Sequence, residues 1–114
     1  MLKGLGNLGD MARMMKAAQE MQGRMAEVQE GLGRITVEGS AGAGLVKATA
    51  TAKGELTGLS IDPSIFREED REMVEDLILA AIRDAQTRAA ERMAEEMRRV
   101  AEELGLPSGM MPGL

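Results

Sequence analysis

The sequence predicts an α+β fold in which a long N-terminal helix, a three-stranded antiparallel sheet and a long C-terminal helix follow one another along 114 residues. Apolar residues recur first at helical spacing, then at every second position, and then again at helical spacing. Glycine and proline separate these segments. A chain of this length has room for one domain. We expect that domain over residues 1–104, followed at residues 105–114 by a flexible tail rich in Gly, Pro and Met.

The first helix carries an unbroken heptad seam. Its apolar residues follow one another at alternating steps of three and four, namely Met11, Met14, Ala18, Met21, Met25, Val28 and Leu32. Asp10 is placed to cap this helix, and Gly31 and Gly33 to end it. The seam needs a facing helix, either within the chain or in a second copy. Because methionine adapts to irregular surfaces, the seam is also suited to a plastic binding groove.

Alternation with a period of two predicts three short strands joined as a meander. The alternating apolar positions are Ile35 and Val37 in the first strand, Val46, Ala48, Ala50 and Ala52 in the second, and Leu59 and Ile61 in the third. We expect residues 39–44 to connect the first two strands, and Lys53-Gly54 to turn the chain into the third. The inner face of this sheet consists mostly of alanine, so a helix can approach it closely.

The second long helix is expected from about Glu68 to Leu104, after Asp62-Pro63-Ser64 ends the third strand. Apolar residues surround its first half at residues 73–82, which predicts burial on several sides. Its second half narrows to one stripe that should project, formed by Ala85, Ala89, Met93, Met97, Val100 and Leu104. A three-stranded sheet cannot cover both helical stripes, and the sequence therefore predicts a homodimer.

The composition lacks several of the residue types that most often act in catalysis. The chain has no Cys, no His, no Trp and no Tyr, so no disulfide forms and no histidine can activate a serine. We predict no enzyme activity, no catalytic or metal site, no cofactor and no small-molecule substrate. There is no apolar run of about 18 residues and no apolar core near the N-terminus. We therefore expect neither a membrane-spanning helix nor a secretory signal, and a cytoplasmic location.

Two further patterns have ordinary structural interpretations. The glycine-rich residues 39–44 lack the Gly-Lys-Ser/Thr ending of a phosphate-binding loop and precede no helix, which favours a hairpin connection. The carboxylates at residues 68–76 resemble a cation site in number alone. Their position at the start of the long helix favours a solvated N-terminal turn.

Charge is unevenly distributed. The net charge is −5. Residues 1–53 hold seven Lys and Arg against five Asp and Glu, whereas residues 54–114 hold seven against fourteen. An acidic total opposes strong electrostatic binding of nucleic acid, although a local basic face can still contact phosphate. Arg13 and Lys16 occupy outer c and f heptad positions and are the better phosphate candidates. The pairs Asp84–Arg88, Arg92–Glu96, Glu95–Arg99 and Arg98–Glu102 are spaced for neutralisation along the long helix.

Three segments carry a specific resemblance to a known family. They are MMKAAQEMQGRMAEVQE, ITVEGSAGAGLVKATATAKGELTGLSIDPS and MVEDLILAAIRDAQTRA, followed by the short Gly/Pro/Met tail. In this order and spacing they resemble the YbaB/EbfC family of bacterial nucleoid-associated proteins. The resemblance covers nearly the whole chain. It implies a tweezer-like homodimer with a central sheet and helical arms.

The resemblance also implies a partner. Members of the family bind double-stranded DNA, often with little sequence preference, and affect nucleoid organisation and gene expression. DNA contacts would come from the two helical arms, which on this chain carry Lys3, Arg13, Lys16, Arg24, Arg92, Arg98 and Arg99. No recognition helix or base-stacking aromatic pattern is present, so contacts should be to the DNA backbone. The alternative is a protein-interaction module whose Met-rich helices clasp a partner helix.

Overall fold

The computed structural model describes residues 2–105, with side chains from residue 8 onward. The elements in chain order are α1 (Leu2–Leu32), β1 (Thr36–Ala41), β2 (Val46–Thr51), β3 (Leu56–Ile61) and α2 (Arg71–Glu103), with short 3₁₀ turns at Pro63–Ile65 and Glu68–Asp70. The predicted α+β class and element order are confirmed. The tail predicted at residues 105–114 lies outside the described residues except for Gly105. Within the described part, no helix has the length and hydrophobicity needed to cross a membrane.

α1 begins at Leu2, well before the predicted start at Met11. Asp10 lies inside the helix, and the prediction that it caps the N-terminus is wrong. The physical reason is visible in the sequence, where Leu5 and Leu8 precede Met11 at steps of three and extend the helical spacing. The C-terminal end agrees with prediction. α1 stops at Leu32, between the two glycines expected to end it.

The sheet has the order β1-β2-β3 and is antiparallel throughout, which confirms the predicted meander. The first connection is shorter than expected. Gly39 and Ala41 pair with Ala48 and Val46 of β2, so only residues 42–44 form the turn. All three turn residues have positive φ angles, between 56° and 92°. The prediction of a loop over residues 39–44 is therefore half wrong, because Gly39 belongs to the strand for a packing reason.

That reason is the close approach of α2 to β1. A Cβ atom added to Gly39 would lie 2.1 Å from the backbone nitrogen of Ala85 and 2.7 Å from the carbonyl oxygen of Ala81. Ala48 and Ala50 of β2 are fully buried under the same helix. The predicted alanine-lined inner face is confirmed, and it brings the helix and the sheet into nearly backbone-to-backbone contact.

A second core lies where the ends of the two helices meet. Its buried members are Leu32, Ala52, Met97, Val100 and Ala101, with Met25, Val28, Ile35 and Met93 packed around them. The C-terminal part of the heptad seam is thus covered by α2 of the same chain, and the two helices run antiparallel there. Nearer the N-terminus the seam is uncovered: Met21, Met14 and Met11 are all exposed.

Burial along α2 is the reverse of the prediction. In the first half only Ala81 is fully buried, and Met73 and Leu79 are exposed. In the second half Ala85, Ala89, Met97, Val100 and Ala101 are buried. The second half is covered by the sheet and by the end of α1 together. The first half packs on β1, β2 and Ile65, and part of its apolar surface stays open.

Candidate nucleic-acid interface

The N-terminal half of α1 projects beyond the rest of the chain as an arm, defined here as residues 8–20. α2 ends at Glu103, and Leu104 lines a cavity together with Ala17, Glu20, Met21 and Arg24 of α1. Every side chain of the arm is exposed. The molecule is accordingly elongated, with extents of 83 × 20 × 19 Å. The arm therefore offers a helix surface that other molecules can reach from all sides.

Arg13 and Lys16 lie on this arm, and both are exposed. At 100° per residue they are turned away from the apolar seam, as their c and f positions predict. Neither forms an ion pair with any residue that the structure describes. Their charges are consequently available to an external anion.

Arg24 is held differently. Its guanidinium pairs with Glu27, at 3.5 Å, and with Glu103 at the end of α2. It lies at a g position beside the seam, where interhelical ion pairs commonly form. Arg24 therefore joins the two helices, and DNA would have to displace its carboxylate partners. The backbone of Lys3 belongs to α1, but its side chain lies outside the described residues.

The arginines of α2 are mostly neutralised, as the sequence predicted. Arg92 pairs with Glu96 at 3.1 Å, and Arg99 pairs with Glu95 and Glu96 at 3.2 Å each. The predicted Asp84–Arg88 pair is also present, at 3.2 Å. The predicted Arg98–Glu102 pair is absent from the described ion pairs, so that prediction is wrong. Arg98 instead lies on the exposed side of α2, and no described carboxylate neutralises its charge.

The candidate cations thus divide into two groups. Within the part of the chain with described side chains, Arg13, Lys16 and Arg98 have no carboxylate partner, whereas Arg24, Arg92 and Arg99 do. Exposed ion pairs are weak in water. They nevertheless lower the local positive potential that attracts phosphate. The strongest candidates are therefore Arg13 and Lys16, which lie together on the arm.

One cation that sequence reasoning left out is Lys47 of β2. It is exposed and makes no ion pair with a described residue. Its register partners are Ser40 and Ser60, so an ammonium group stands between two hydroxyl-bearing residues on the outer sheet face. Lysine and serine are ordinary phosphate-contacting residues. The alternation Val46-Lys47-Ala48 already placed Lys47 on this face, which is the signal that could have identified it.

Asp84 of α2 forms a hydrogen bond with the edge strand β1. Its Oδ2 accepts a hydrogen bond from the backbone N–H of Ser40, at 2.9 Å, and another from Nε of Arg88, at 3.2 Å. The Ser40 hydrogen bond, followed by Arg88, lowers the pKa of the Asp84 carboxyl below its ordinary value of 3.8. A charged helix residue thus satisfies a donor on one edge strand, and the opposite strand β3 has no such cover.

The inner side of β3 forms an open apolar surface, the β3 face, defined by Leu56, Leu59, Ile61, Ile78 and Ile82. Leu56 and Leu59 pair with Ala50 and Ala48, so they share the face that α2 packs on. Yet they are 45% and 50% exposed, respectively. Ile82 lies on the flank of α2 opposite Asp84, hence toward β3. The chain leaves this half of its sheet uncovered.

Comparison with known proteins decides the family. The description of the YbaB/EbfC DNA-binding family matches residues 7–104. The chain belongs to this family. Its matched region runs from the start of the arm to the end of α2, so it contains both groups of cations and the β3 face.

Similar proteins agree with the family assignment. A nucleoid-associated protein from Beijerinckia indica is 46% identical over 98 residues, covering 86% of this chain and 97% of the relative. One from Bradyrhizobium diazoefficiens is 42% identical over 103 residues, covering 90% and 97%. Among solved structures, an uncharacterized protein from Helicobacter pylori superposes with a TM-score of 0.61. It is 21% identical, and the alignment covers 80% of this chain and 91% of that one. This likeness shows that the two proteins share a fold.

Proposed function

We propose that this YbaB/EbfC family member is a nucleoid-associated protein that binds double-stranded DNA as a homodimer, with little sequence preference. In this role it affects nucleoid organisation and gene expression. Family membership and the nucleoid-associated relatives support the choice of partner. The observation that carries the mechanism is the projecting arm, on which Arg13 and Lys16 are exposed and have no carboxylate partner among the residues with described side chains. We propose no catalytic role and no cofactor.

Contacts to the DNA backbone follow from the residues that the arm offers. A guanidinium and an ammonium group on one helix face can neutralise phosphates and release condensed counterions. Neither the arm nor α2 has an aromatic residue for base stacking, since the single aromatic of the chain is Phe66. Such contacts position a protein on DNA without reading its sequence. Arg98 and Lys47 are secondary candidates, and Arg24, Arg92 and Arg99 contribute less because carboxylates already neutralise them.

Phosphate contacts make this binding dependent on salt, and the acidic total opposes it. At net charge −5, the chain as a whole repels DNA, and attraction comes from the arm at short range. Added salt screens both effects, but it also removes the entropy of counterion release. Homodimerisation supplies two arms, so a dimer engages one duplex at two places and raises the effective concentration of the second arm.

The test is a salt series of gel shifts on unrelated duplexes. Wild-type protein should shift all of them at about 50 mM salt and lose affinity steeply as salt rises. Arg13→Gln with Lys16→Gln should weaken binding and reduce the slope of log affinity against log salt. Four lost phosphate contacts per dimer correspond to a slope change of about 3 to 4.

The matched control is Arg92→Gln with Arg99→Gln, which removes the same number of positive charges from ion-paired positions. This variant should keep most of the wild-type slope. Equal losses in the two variants would show that net charge alone matters and would contradict the arm as the contact site. Absence of any shift at about 50 mM salt would refute the DNA-binding proposal.

A protein partner is the second candidate, because the arm also exposes methionine. Met11, Met14 and Met15 are each at least 60% exposed, and flexible thioether side chains suit varied helical partners. The gel-shift series separates the two functions. A chain that shifts no duplex but whose arm is still needed for capture of an amphipathic helix would be a protein-interaction module.

A further inference from the structure

The end of the molecule that begins α2 is strongly acidic. Residues 67–76 hold six carboxylates against two arginines, a net charge of −4. Among the described residues, the only ion pair of this segment joins Glu75 to Arg71, at 2.9 Å. All six carboxylate residues are exposed except Asp70, which is half-buried. This surface, called here the acidic end and defined as residues 66–76, therefore attracts positive charge.

The acidic end also has an apolar contact site. Phe66 is the single aromatic residue of the chain, and it is 67% exposed. An open cavity of about 390 Å³ lies beside it, and the residues that line this cavity include Ile65, Phe66, Val74, Glu68 and Glu75. Methionine side chains fill irregular spaces of this kind and make favourable sulfur–aromatic contacts. The acidic end thus combines negative charge with a site suited to methionine.

The arm has the complementary properties. From residue 11 to residue 19 it carries two positive charges, Arg13 and Lys16, and no carboxylate. Met14 and Met15 lie in the same segment and are 71% and 64% exposed, respectively. Two cations and exposed thioethers therefore lie within three turns of one helix, where a single partner can contact both.

These two surfaces cannot meet within one chain. The end of α1 packs antiparallel against the last turns of α2, so the arm extends past the C-terminal end of α2. The acidic end lies at the N-terminal end of the same helix, which is 33 residues long, or about 50 Å. The longest extent of the molecule, 83 Å, agrees with this arrangement. Contact between the arm and the acidic end therefore requires a second copy.

We propose that the arm of one copy docks on the acidic end of a second copy, with Arg13 and Lys16 against its carboxylates and a methionine of the arm against Phe66. One copy supplies the arm and the other supplies the acidic end. The contact is consequently heterologous, and it repeats from copy to copy. Because exposed ion pairs are weak and are screened by salt, this association is reversible and strongest at low ionic strength.

Docking of this kind would limit access of DNA to the arm. Arg13 and Lys16 are the cations that contact phosphate in the proposed function, so a docked arm is occupied. The acidic end then competes with DNA for the same two side chains. This consequence rests on the proposed function, whereas the docking itself does not.

Sedimentation without DNA tests the docking in the full-length protein. At about 50 mM salt, the wild-type mass should rise with protein concentration above its value at about 500 mM salt, where charges are screened. Phe66→Ser removes an exposed side chain and should lower the association constant about two- to tenfold. Equal wild-type masses at the two salt concentrations would refute the docking. A Phe66→Ser variant that associates like the wild type would also overturn it.

Mixing two charge variants tests which surfaces meet. Arg13→Glu with Lys16→Glu removes the positive charge of the arm and keeps the acidic end, whereas Glu68→Lys with Glu72→Lys neutralises the acidic end and keeps the arm. Neither variant should show salt-sensitive association alone. Their equal mixture should associate again, because the intact arm of one meets the intact acidic end of the other, and this result also shows that both are folded. A mixture that keeps the mass of the separate variants would overturn the proposal.

Gel shifts test the competition with DNA. Where the wild type self-associates, Glu68→Gln with Glu72→Gln should raise the apparent duplex affinity at least about threefold, because more arms are free. The matched control, Glu55→Gln with Glu91→Gln, removes the same charge from exposed positions outside both surfaces and should raise it less. Equal gains in the two variants would contradict the competition. Association in the mixture without any shifted duplex would refute the proposed DNA function and support the docking.

Discussion

At the scale of single residues, the fold depends on a glycine where the helix and the sheet meet. Gly39 sits in the middle of β1, where glycine is ordinarily unfavourable because it has no side chain to pack. Here glycine is required because it has no side chain, which lets α2 approach β1 closely. The backbone of Ala85 occupies the space that a Cβ atom would need. Next to it, Asp84 accepts the N–H of Ser40, which fixes α2 along the edge of the sheet.

Gly39→Ala should therefore lower the free energy of unfolding by about 3 kcal/mol, because two backbone segments must separate to accept the methyl group. Chemical denaturation measures this change. Gly58→Ala is the matched control in β3, where the nearest atoms to the added Cβ would be 3.7 Å away, in ordinary van der Waals contact. It should change stability by less than about 0.5 kcal/mol. Similar values for both variants would contradict the close helix–sheet contact.

At the scale of elements, α1 has two functions divided along its length. From Met25 onward it packs against α2 and completes the second core. Before Met21 it makes no such contact and carries the exposed cations and methionines. The seam itself has the same heptad pattern in both parts. The difference arises because α2 ends where it does.

This division predicts that the same substitution, Met to Ala, lowers the free energy of unfolding by different amounts in the covered and the exposed parts. Met97→Ala in α2 removes a buried side chain and should destabilise the protein by about 2 to 4 kcal/mol. Met14→Ala removes an exposed side chain and should cost less than about 1 kcal/mol. Thermal unfolding of the two variants gives the comparison. Equal destabilisation would mean that the arm is packed as tightly as the second core.

At the scale of the whole molecule, one chain exposes more surface than a compact protein of its size. Its accessible area is 8327 Å², whereas a compact monomer of 12.2 kDa exposes about 6,100 Å². Its radius of gyration, 21.9 Å, also exceeds the roughly 13 Å expected for a globular chain of this length. A stable dimer needs about 800 Å² from each partner. The β3 face is an open apolar half of the sheet, and we therefore propose it as the homodimer contact.

Leu59→Lys should convert the proposed dimer to a monomer, because a charged side chain would be buried against the partner. Sedimentation at micromolar concentration measures the change in mass. Leu8→Lys is the matched control, since Leu8 is exposed on the arm and lies away from the β3 face. It should leave the dimer intact. A wild-type chain that sediments as a monomer would refute the homodimer, and a dimeric Leu59→Lys variant would place the contact elsewhere.

Much of the fold was accessible from sequence because local spacing controls it. The heptad steps of α1, the alternation of β2 and the glycines that end segments are local signals. The element order followed directly from them. One error came where a distant contact decided the outcome, since Gly39 looked like a loop residue until α2 was seen against it. The other error was local, because the helical spacing before Met11 already continues through Asp10.

The candidate site divides in the same way. The sequence placed Arg13 and Lys16 away from the seam, and α1 is helical through both positions. The sequence also gave the correct i,i+4 partners of Arg92 and Arg99. It could not show that Arg24 reaches Glu103, because these residues are far apart along the chain and meet only when the helices pack. Nor could it show that Arg98 lacks an ion-pair partner among the described residues.

The sequence by itself determined the elements, their order, the alanine face of the sheet and the absence of a histidine or cysteine for catalysis. These features follow from residue type and periodicity within short windows. Only the tertiary structure decided which part of the seam is covered, which cations are free and which half of α2 is buried. Those outcomes depend on where α2 ends relative to α1 and on which strands it crosses. Such relations join residues distant in sequence, and no local pattern contains them.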